Sequence, residues 1–425
     1  MRQLPLAGIR ILDLSMWWAG PYATALLAYL GAEVVKIESW YHLDPWRGDV
    51  KVPAGIDRYP DNAPGDKPYN RNAYFNRINH NKLDITLDLR HPLGQDIFLR
   101  LIKVSDVVLE NYGSKAREKL GIEFERFRKA NPKIILASLP MFGLTGPEKE
   151  YRGYGNTIES LSGLYYLTGY SGGKPQMLGH TAVGDPIAAF HAAFAILVGL
   201  NRRKQTGVGC HLEIAQNEAL ARFSGFAFME YAMNGRNPKR SGNRHSSMAP
   251  HDCYPCKGKD SWVSISVASD EEWKSLCQIM GKPELAQDPR FCGIPNRSKN
   301  QEALEDIISD WTREHAHYEV MEKLQRVGIA AGPLLTIPEL FQDPHLVDRG
   351  FFEVVSHPEA GIHQYESSPI RLRPSLGKTI RTPSPCLGEH NDYVYKEILK
   401  LSETEIAELE EQKVISKVPA SIGLF

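Results

Sequence analysis

The first forty residues constrain the fold more than any other feature of the chain. "GIRILDL" (Gly8 to Leu14) is a short apolar run suited to a buried strand, "PYATALLAYLG" (Pro21 to Gly31) opens on proline and closes on glycine as a helix does, and "EVVKIE" (Glu33 to Glu38) is strand again. This is a β-α-β unit. The pattern continues with strand-like "DVVLEN" (Asp106 to Asn111) and "KIILASL" (Lys133 to Leu139), the first preceded by a helical "LGQDIFLRLIKV" (Leu93 to Val104). Such alternation predicts an α/β fold with a mostly parallel, doubly wound sheet.

Between these elements, Trp40 to Asn81 is a long polar segment without periodicity, and a loop of that length inside a domain is functional or wraps a partner. Its Arg47-Gly48-Asp49 matches an adhesion tripeptide; without a secretion signal we read it as chance. After "RRKQTGVG" (Arg202 to Gly209) and a strand-like "CHLEIA", the character changes. "NGRNPKRSGNRHSSMAP" (Asn234 to Pro250) reads as loop, "WVSISV" alternates as a half-exposed strand, and Ser269 with Glu272 spells a capping box. The expected organisation is a large domain over 1–225, a smaller α+β domain over 226–325, and a linker with a C-terminal part, 326–425, that returns to the large domain.

Composition excludes several partners. Lys plus Arg number 50 against 51 Asp plus Glu, so there is no global charge to draw the chain to nucleic acid or an anionic membrane. The N-terminus lacks a signal-peptide core because Pro5, Arg10 and Asp13 break it, and no run reaches the length of a membrane span, which together predict a cytoplasmic protein. Six cysteines, from Cys210 to Cys386, fit reduced thiols. Cys253 and Cys256 form a C-x-x-C near His251 that admits structural, metal or redox readings; no further ligands stand at matched spacing. Nucleotide-binding, serine-hydrolase and zincin motifs are absent.

One stretch carries chemistry. In "LGHTAVGDPIAAFHAAFAILVGL" (Leu178 to Leu200) the part from Ile187 onward reads as a buried helix, and Asp185 stands at its mouth before a proline. Asp at an N-cap followed by Pro at N1 is ordinary helix-start chemistry. The same placement suits a nucleophile, held ionised by unpaired amides and the helix dipole. Local sequence leaves both readings open.

Several segments together resemble the class III CoA-transferases, a family that includes the α-methylacyl-CoA racemases. They are "LPLAGIRILDLSMWWAGPYATALLAYLGAEVVKIE", "NKLDITLDLR", "SDVVLENYG", "NPKIILASLPMFGLTGP", "GDPIAAFHAAFAILVGLNRRKQTGVGCHLEIAQNEA" and "SPCLGEHND", spread over essentially the whole chain. The resemblance implies a Rossmann-like large domain built from both chain ends, an inserted small domain, and two interlocked subunits, a homodimer or a heterodimer with a related chain. It makes Asp185 the nucleophile and a CoA thioester the substrate, with no tightly bound cofactor and no metal. The implied CoA contacts fall on Trp18, Ala19, Leu87, Asp88, Arg90, Asn111, Tyr112, Gly113, Lys119, Phe142 and Gly143, with Lys119 the natural partner for a phosphate. "RSGNRHS" (Arg240 to Ser246) is the candidate for oxyanion N–H donors, and Trp17, Gly242, Asn243, Arg244 and His245 are implied on the acyl side.

Two departures bear on the acyl group. Formyl-CoA-transferase-like members carry a polar amide where Trp18 stands and a basic residue where Pro140 stands, so a larger, less polar acyl group is expected. Trp17, Trp18, Trp40 and Tyr41 point to an aromatic or branched group, and Arg244 or His245 to a second carboxylate, as in benzylsuccinate- and succinate-type enzymes. Racemase members resemble one another in a Gly-His-Asp after the "TGP" turn; here that segment is Gly153-Tyr154-Gly155. Tyrosine ordinarily ionises at about pH 10 and is a poor base at neutral pH, so transferase is favoured over racemase, and the retained Asp185 favours it over an inactive subunit of a heteromer.

Overall fold

The structure is a computed structural model, and it describes residues 4–52, 58–179, 182–372 and 377–420. In chain order the elements are β1 (Arg10–Asp13), α1 (Ala19–Tyr29), β2 (Glu33–Glu38), α2 (Ala73–Ile78), β3 (Lys82–Thr86), α3 (Pro92–Lys103), β4 (Val107–Glu110), α4 (Ser114–Lys119), α5 (Phe124–Ala130) and β5 (Ile135–Ser138). Then follow α6 (Gly155–Leu161), α7 (Leu164–Leu167), α8 (Gly184–Thr206), β6 (His211–Glu213), α9 (Gln216–Ala221) and α10 (Gly225–Asn234). The remainder is β7 (His251–Pro255), β8 (Trp262–Ser266), α11 (Asp270–Ile279), α12 (Ile294–Lys299), α13 (Gln301–Thr312), α14 (His317–Gln325), β9 (Ala330–Pro333), α15 (Ile337–Gln342), α16 (Pro344–Asp348), β10 (Phe352–His357), β11 (Gly361–Glu366) and α17 (Glu403–Glu411).

Two compact units emerge: Met1–Leu164 with Leu178–Met229 and Asp348–Phe425, and Tyr165–Met177 with Glu230–Val347. The second unit is larger than the expected 226–325. β9 pairs antiparallel with β8, which carries the unit past 325. The detached piece 165–177 joins it through Gly242 N–H donating to Gly169 O at 2.9 Å and Arg240 donating to Tyr166 O and Gly173 O.

The first unit is built on a fully parallel six-stranded sheet in the order β3-β2-β1-β4-β5-β6, the doubly wound arrangement expected from the opening residues. Strand side chains alternate between its faces. Ile11, Val34, Val107 and Ile135 pack with α1 and α8, while Leu12, Val35, Val108 and Leu136 pack with α3, α5 and residues of the C-terminal segment such as Tyr395 and Leu409. The chain order reverses between β1 and β4, so their carboxyl ends open a crevice.

Helix α8 departs from its sequence reading in two ways. At 23 residues it is long and apolar enough to cross a membrane by length and composition alone, where the sequence reading had it falling short, because the helix runs through the basic turn to Thr206. It is also buried on one side only. Ala188, Ala189, Ala192 and Ile196 lie in the core, whereas Phe190, Phe194 and Val198 face outward, Phe194 being 67% exposed. A run without charge need not be enclosed all round.

The long segment after β2 is anchored by charge. Arg47 is fully buried and every N–H of its guanidinium has an acceptor: Nε donates to Glu38 (2.7 Å), Nη1 to Tyr69 O and Asn70 Oδ1, and Nη2 to Asp84 Oδ2 and Pro385 O (each 3.2 Å). Its plane lies 3.6 Å from the centre of the Phe75 ring. Buried in this way, the tripeptide's arginine has a structural role. Removing one partner of a buried ion pair typically costs about 3–5 kcal/mol. Arg47→Ala is therefore expected to lower unfolding free energy by about that amount in urea titration, and Arg47→Lys to recover only a minor part, since an ammonium has fewer donors and no planar fork.

Candidate active site

Most of the positions carried over by resemblance follow the carboxyl ends of four strands: Trp17 to Ala19 after β1, Asn111 to Gly113 after β4 and Phe142 with Gly143 after β5, which are neighbours, and Leu87 to Arg90 after the edge strand β3. Within the first unit the ends of β1, β4 and β5 open into a cavity of about 1600 Å³, lined in part by Trp17, Trp18, Asn111, Gly113, Pro140, Phe142 and Asp185; Leu87, Asp88 and Arg90 do not line it.

The turn from β1 to α1 is held from two sides. Asn111 clamps Met16, accepting its N–H at 2.9 Å and donating to its carbonyl at 2.7 Å, so this amide is occupied by the backbone. Trp17 adopts φ +66°, a left-handed conformation unusual for a large side chain, and its N–H donates to Asp44 Oδ1 at 3.0 Å. Asp44 is in turn paired with the buried Lys36 at 2.9 Å. The strained turn thus hangs from the buried charges beneath the sheet edge.

Aromatic rings form one wall. Trp18 packs on Trp46 and Trp46 on Tyr74, each with centroids 5.3 Å apart; Trp17 meets Tyr154 edge-on at 5.5 Å, and the Arg77 guanidinium lies 5.7 Å over Trp18. Tyr22 completes the lining. Trp40 and Tyr41 are elsewhere: the Trp40 indole donates to Lys413 O, and Tyr41 lies under Arg90. Their places are taken by Trp46 and Tyr74, which the aperiodic 40–81 segment delivers by a route that sequence pattern does not encode.

Asp185 is not the N-cap. Val183 holds that position, and Asp185 is in the first helical turn. The capping is done by Glu159, buried on α6, whose Oε1 accepts from the N–H of both Val183 and Gly184. Relieved of that duty, the Asp185 carboxylate faces the cavity and accepts the backbone N–H of Ala19. Burial raises its pKa, the Glu159 carboxylate raises it further, and the backbone donors of Ala19 and of Asp185 itself only partly offset them, leaving it at about 6. Two glycines make room. A Cβ on Gly184 would stand 2.7 Å from Ile158 Cδ1, and one on Gly155 would stand 2.4 Å from Asp185 Oδ2. Glu159 escaped the sequence reading because it acts 24 residues downstream of itself, with no motif to announce it.

The other candidates lie at or away from the cavity as follows. Lys119 is exposed near the end of α4 and does not line the cavity; Lys115, one turn earlier, does, as do Lys149 and Arg152. Arg90 is engaged by Asp88 through two hydrogen bonds of 2.9 and 2.7 Å, and Leu87 is core. Tyr112 N–H donates to Glu110. Gly143 takes φ +86° at the bend after β5. In the second unit, Gly242 and Arg244 already spend their N–H groups on Gly169 O and Ser241 O, Arg244 is paired with Glu305 at 3.1 Å, Asn243 donates to Asp252, and His245 lies against His251. Cys253 lies in β7 and Cys256 just beyond it; burial pushes the Cys256 thiol up to about 11, so it is not a reactive thiolate. Among the described residues no three His, Cys, Asp or Glu side chains are grouped to hold a metal.

In a parallel α/β sheet, a capacious cavity at the switch point is where proteins of this class hold their ligands. The chain belongs to CoA-transferase family III, whose family model matches residues 6–391. It is similar to the succinyl-CoA–D-citramalate CoA-transferase of Chloroflexus aurantiacus, at 33% identity over 97% of this chain and 98% of that one. It is also similar to the formyl-CoA:oxalate CoA-transferase of Streptomyces coelicolor (32%, covering 96% and 99%) and to the succinate–glutarate CoA-transferase of Agrobacterium fabrum (30%, covering 95% and 98%). Among solved structures, a CaiB/BaiF family protein from Brucella suis matches with a TM-score of 0.82 at 30% identity, over 93% of this chain and 100% of that one. The protein is thus a CoA-transferase acting on CoA thioesters.

The raised pKa of Asp185 has a stability consequence. Below about pH 4 the carboxyl is protonated whether the chain is folded or not; between about 4 and 6 the unfolded chain releases the proton first, and the folded state loses stability that it does not regain above 6. Asp185→Asn escapes this. Its unfolding free energy should exceed that of the wild type by on the order of 2–3 kcal/mol at pH 8, with the difference vanishing below pH 4, as measured by denaturant titration across pH.

Proposed function

We propose that the enzyme moves CoA between an acyl-CoA thioester and a free carboxylic acid through an aspartyl-CoA thioester on Asp185. An Asp185 carboxylate oxygen attacks the thioester carbonyl and expels CoA thiolate, giving a mixed anhydride. The thiolate then attacks the aspartyl carbonyl, releases the donor acid as its carboxylate, and leaves Asp185 joined to CoA. The acceptor acid reverses the sequence, so the enzyme is regenerated and no oxidant, metal or water is consumed. What carries the reading is the placement of Asp185: half-buried, uncommitted to capping, held by the Ala19 N–H and facing the cavity. The remote CoA moiety supplies the binding energy that holds the thioester against this group. Lys115, Lys149 and Arg152 are our candidates for its phosphates, in place of Lys119.

The tryptophan and tyrosine wall supports a bulky or aromatic acyl group, and the dicarboxylates in the names of related enzymes support a second carboxylate on one of the two acids. The racemase alternative is less well supported. Tyr154 lines the cavity where the racemase branch has a histidine, and it is paired edge-on with Trp17.

We also propose a dimer. Phe190, Phe194 and Val198 on α8, together with Phe223, Phe226 and Met229 just downstream, leave an apolar surface in the isolated chain of the kind that marks a protein interface, and a second copy fits the family resemblance. Sedimentation should give twice the chain mass for the active species; an active monomer would refute this part.

The covalent step is tested by trapping. Hydroxylamine added during turnover should leave a hydroxamate on the peptide containing Gly184 and Asp185, and borohydride an alcohol, both seen by peptide mass spectrometry only when a CoA thioester is present. Asp185→Ala should lose CoA exchange while remaining folded. An unmodified peptide, together with deuterium exchange at the α-carbon of a 2-methylacyl-CoA, would establish the racemase instead.

A further inference from the structure

A carboxylate in the first turn of a helix is ordinarily stabilised in its charged form by the unpaired N–H groups and the dipole there. At α8 that field is intercepted. Glu159 takes the N–H groups of Val183 and Gly184, the donors immediately before Asp185 in the chain, and does so from a buried position on α6. Capping alone does not call for a charge, since a neutral glutamine offers a carbonyl oxygen to the same donors. A charged group here places a second acid beside the proposed nucleophile.

We propose that Glu159 is a positioning residue for the reaction at Asp185: from its buried place on α6 it fixes the start of α8 and sets a second carboxyl group beside the nucleophile. This rests on reading Asp185 as the nucleophile. Other ionisable groups on the surrounding elements are Tyr22 of α1, Glu218 of α9, and Lys149, Glu150, Arg152 and Tyr154 ahead of and at the start of α6. Of these neighbours and Glu159, it is Glu159 whose charge acts on Asp185, second only to burial in raising its pKa. The chemical return is basicity. A carboxylate that holds its proton more tightly is the stronger nucleophile toward a thioester carbonyl, while one that ionises near 6 is still available at neutral pH.

The test compares Glu159→Gln with Glu159→Ala. In the glutamine variant the cap survives and the charge is gone, so its thermal midpoint should stay near that of the wild type while the acid limb of kcat/KM moves about one pH unit lower. The alanine variant, which leaves both N–H groups without their acceptor, should lose thermal stability. Infrared difference titration of the Asp185 carboxyl, with Asp185→Asn as the reference, should show the same downward shift in Glu159→Gln, and in the wild type a midpoint well above the ordinary range of aspartate. A glutamine variant with an unmoved acid limb and unmoved titration reduces Glu159 to a cap and overturns the proposal. A wild-type midpoint near 4 overturns it even if neither variant folds. The infrared readout needs no turnover. Activity retained by Asp185→Asn would instead remove the nucleophile reading, so the two failures are distinguishable.

Discussion

The first unit depends on a set of charges buried where the sheet's carboxyl edge meets the segment after β2. Lys36 pairs with Asp44, Lys82 with Asp13, and Arg47 with Glu38 and Asp84, at 2.7 to 3.2 Å, with all of these side chains essentially inaccessible. Burial alone would push the Asp13 and Glu38 carboxyls up; the ammonium groups of Lys82 and Lys36 acting on Asp13, and Arg47 and Lys36 acting on Glu38, bring both down to about 2. Such a cluster is not an economical source of stability, because desolvation cancels much of the attraction. What it does provide is geometry. An apolar patch would let the 40–81 segment slide, whereas these pairs and hydrogen bonds close in one register. That register carries Trp46 and Tyr74 to the cavity wall and supplies the Asp44 oxygen that holds Trp17 in its left-handed turn.

The same cluster explains the C-terminal "SPCLGEHND". Gly388 N–H donates to Asp84, Leu387 N–H to Asn70, the Thr86 N–H to Asn391 Oδ1, and Arg47 reaches Pro385 O. This stretch returns across more than 300 residues to seal the edge of β3, and its backbone supplies most of the bonds. In the Gly184-Asp185 pair the two residues answer to different demands. The glycine is fixed by the approach of Ile158 from α6, and the aspartate by what it faces in the cavity.

The fold was legible where the signal was local. The opening β-α-β unit and the strands at 107–110 and 135–138 stand as read. The box at Ser269 is only half formed. Ser269 Oγ accepts from Glu272 N–H, but the Glu272 carboxylate turns to Ala268 N–H. What could not be read was set by partners distant in sequence. Asp185 looked like its own helix's cap because Asp before Pro usually is; the actual cap arrives from another helix. The uncharged run of α8 looked enclosed because hydropathy does not distinguish a core from an exposed apolar surface.

Transfer of site residues by resemblance follows a related rule. Positions tied to strand ends, such as Trp18, Asn111, Gly113 and Phe142, come to the cavity because the parallel register leaves little freedom in where a strand stops. A helix offers no such stop. Along α4 a step of four residues separates Lys115, which lines the cavity, from Lys119, which does not, and nothing in the local composition chooses between them. Arg90 differs in another way. It follows a strand, yet it does not line the cavity: the Asp88 carboxylate two residues earlier pairs with its half-exposed guanidinium, and Tyr41 stacks against it. Where a cation carried over by a motif ends up, at the cavity or beside a nearer acid, is decided by three-dimensional neighbours rather than by the motif.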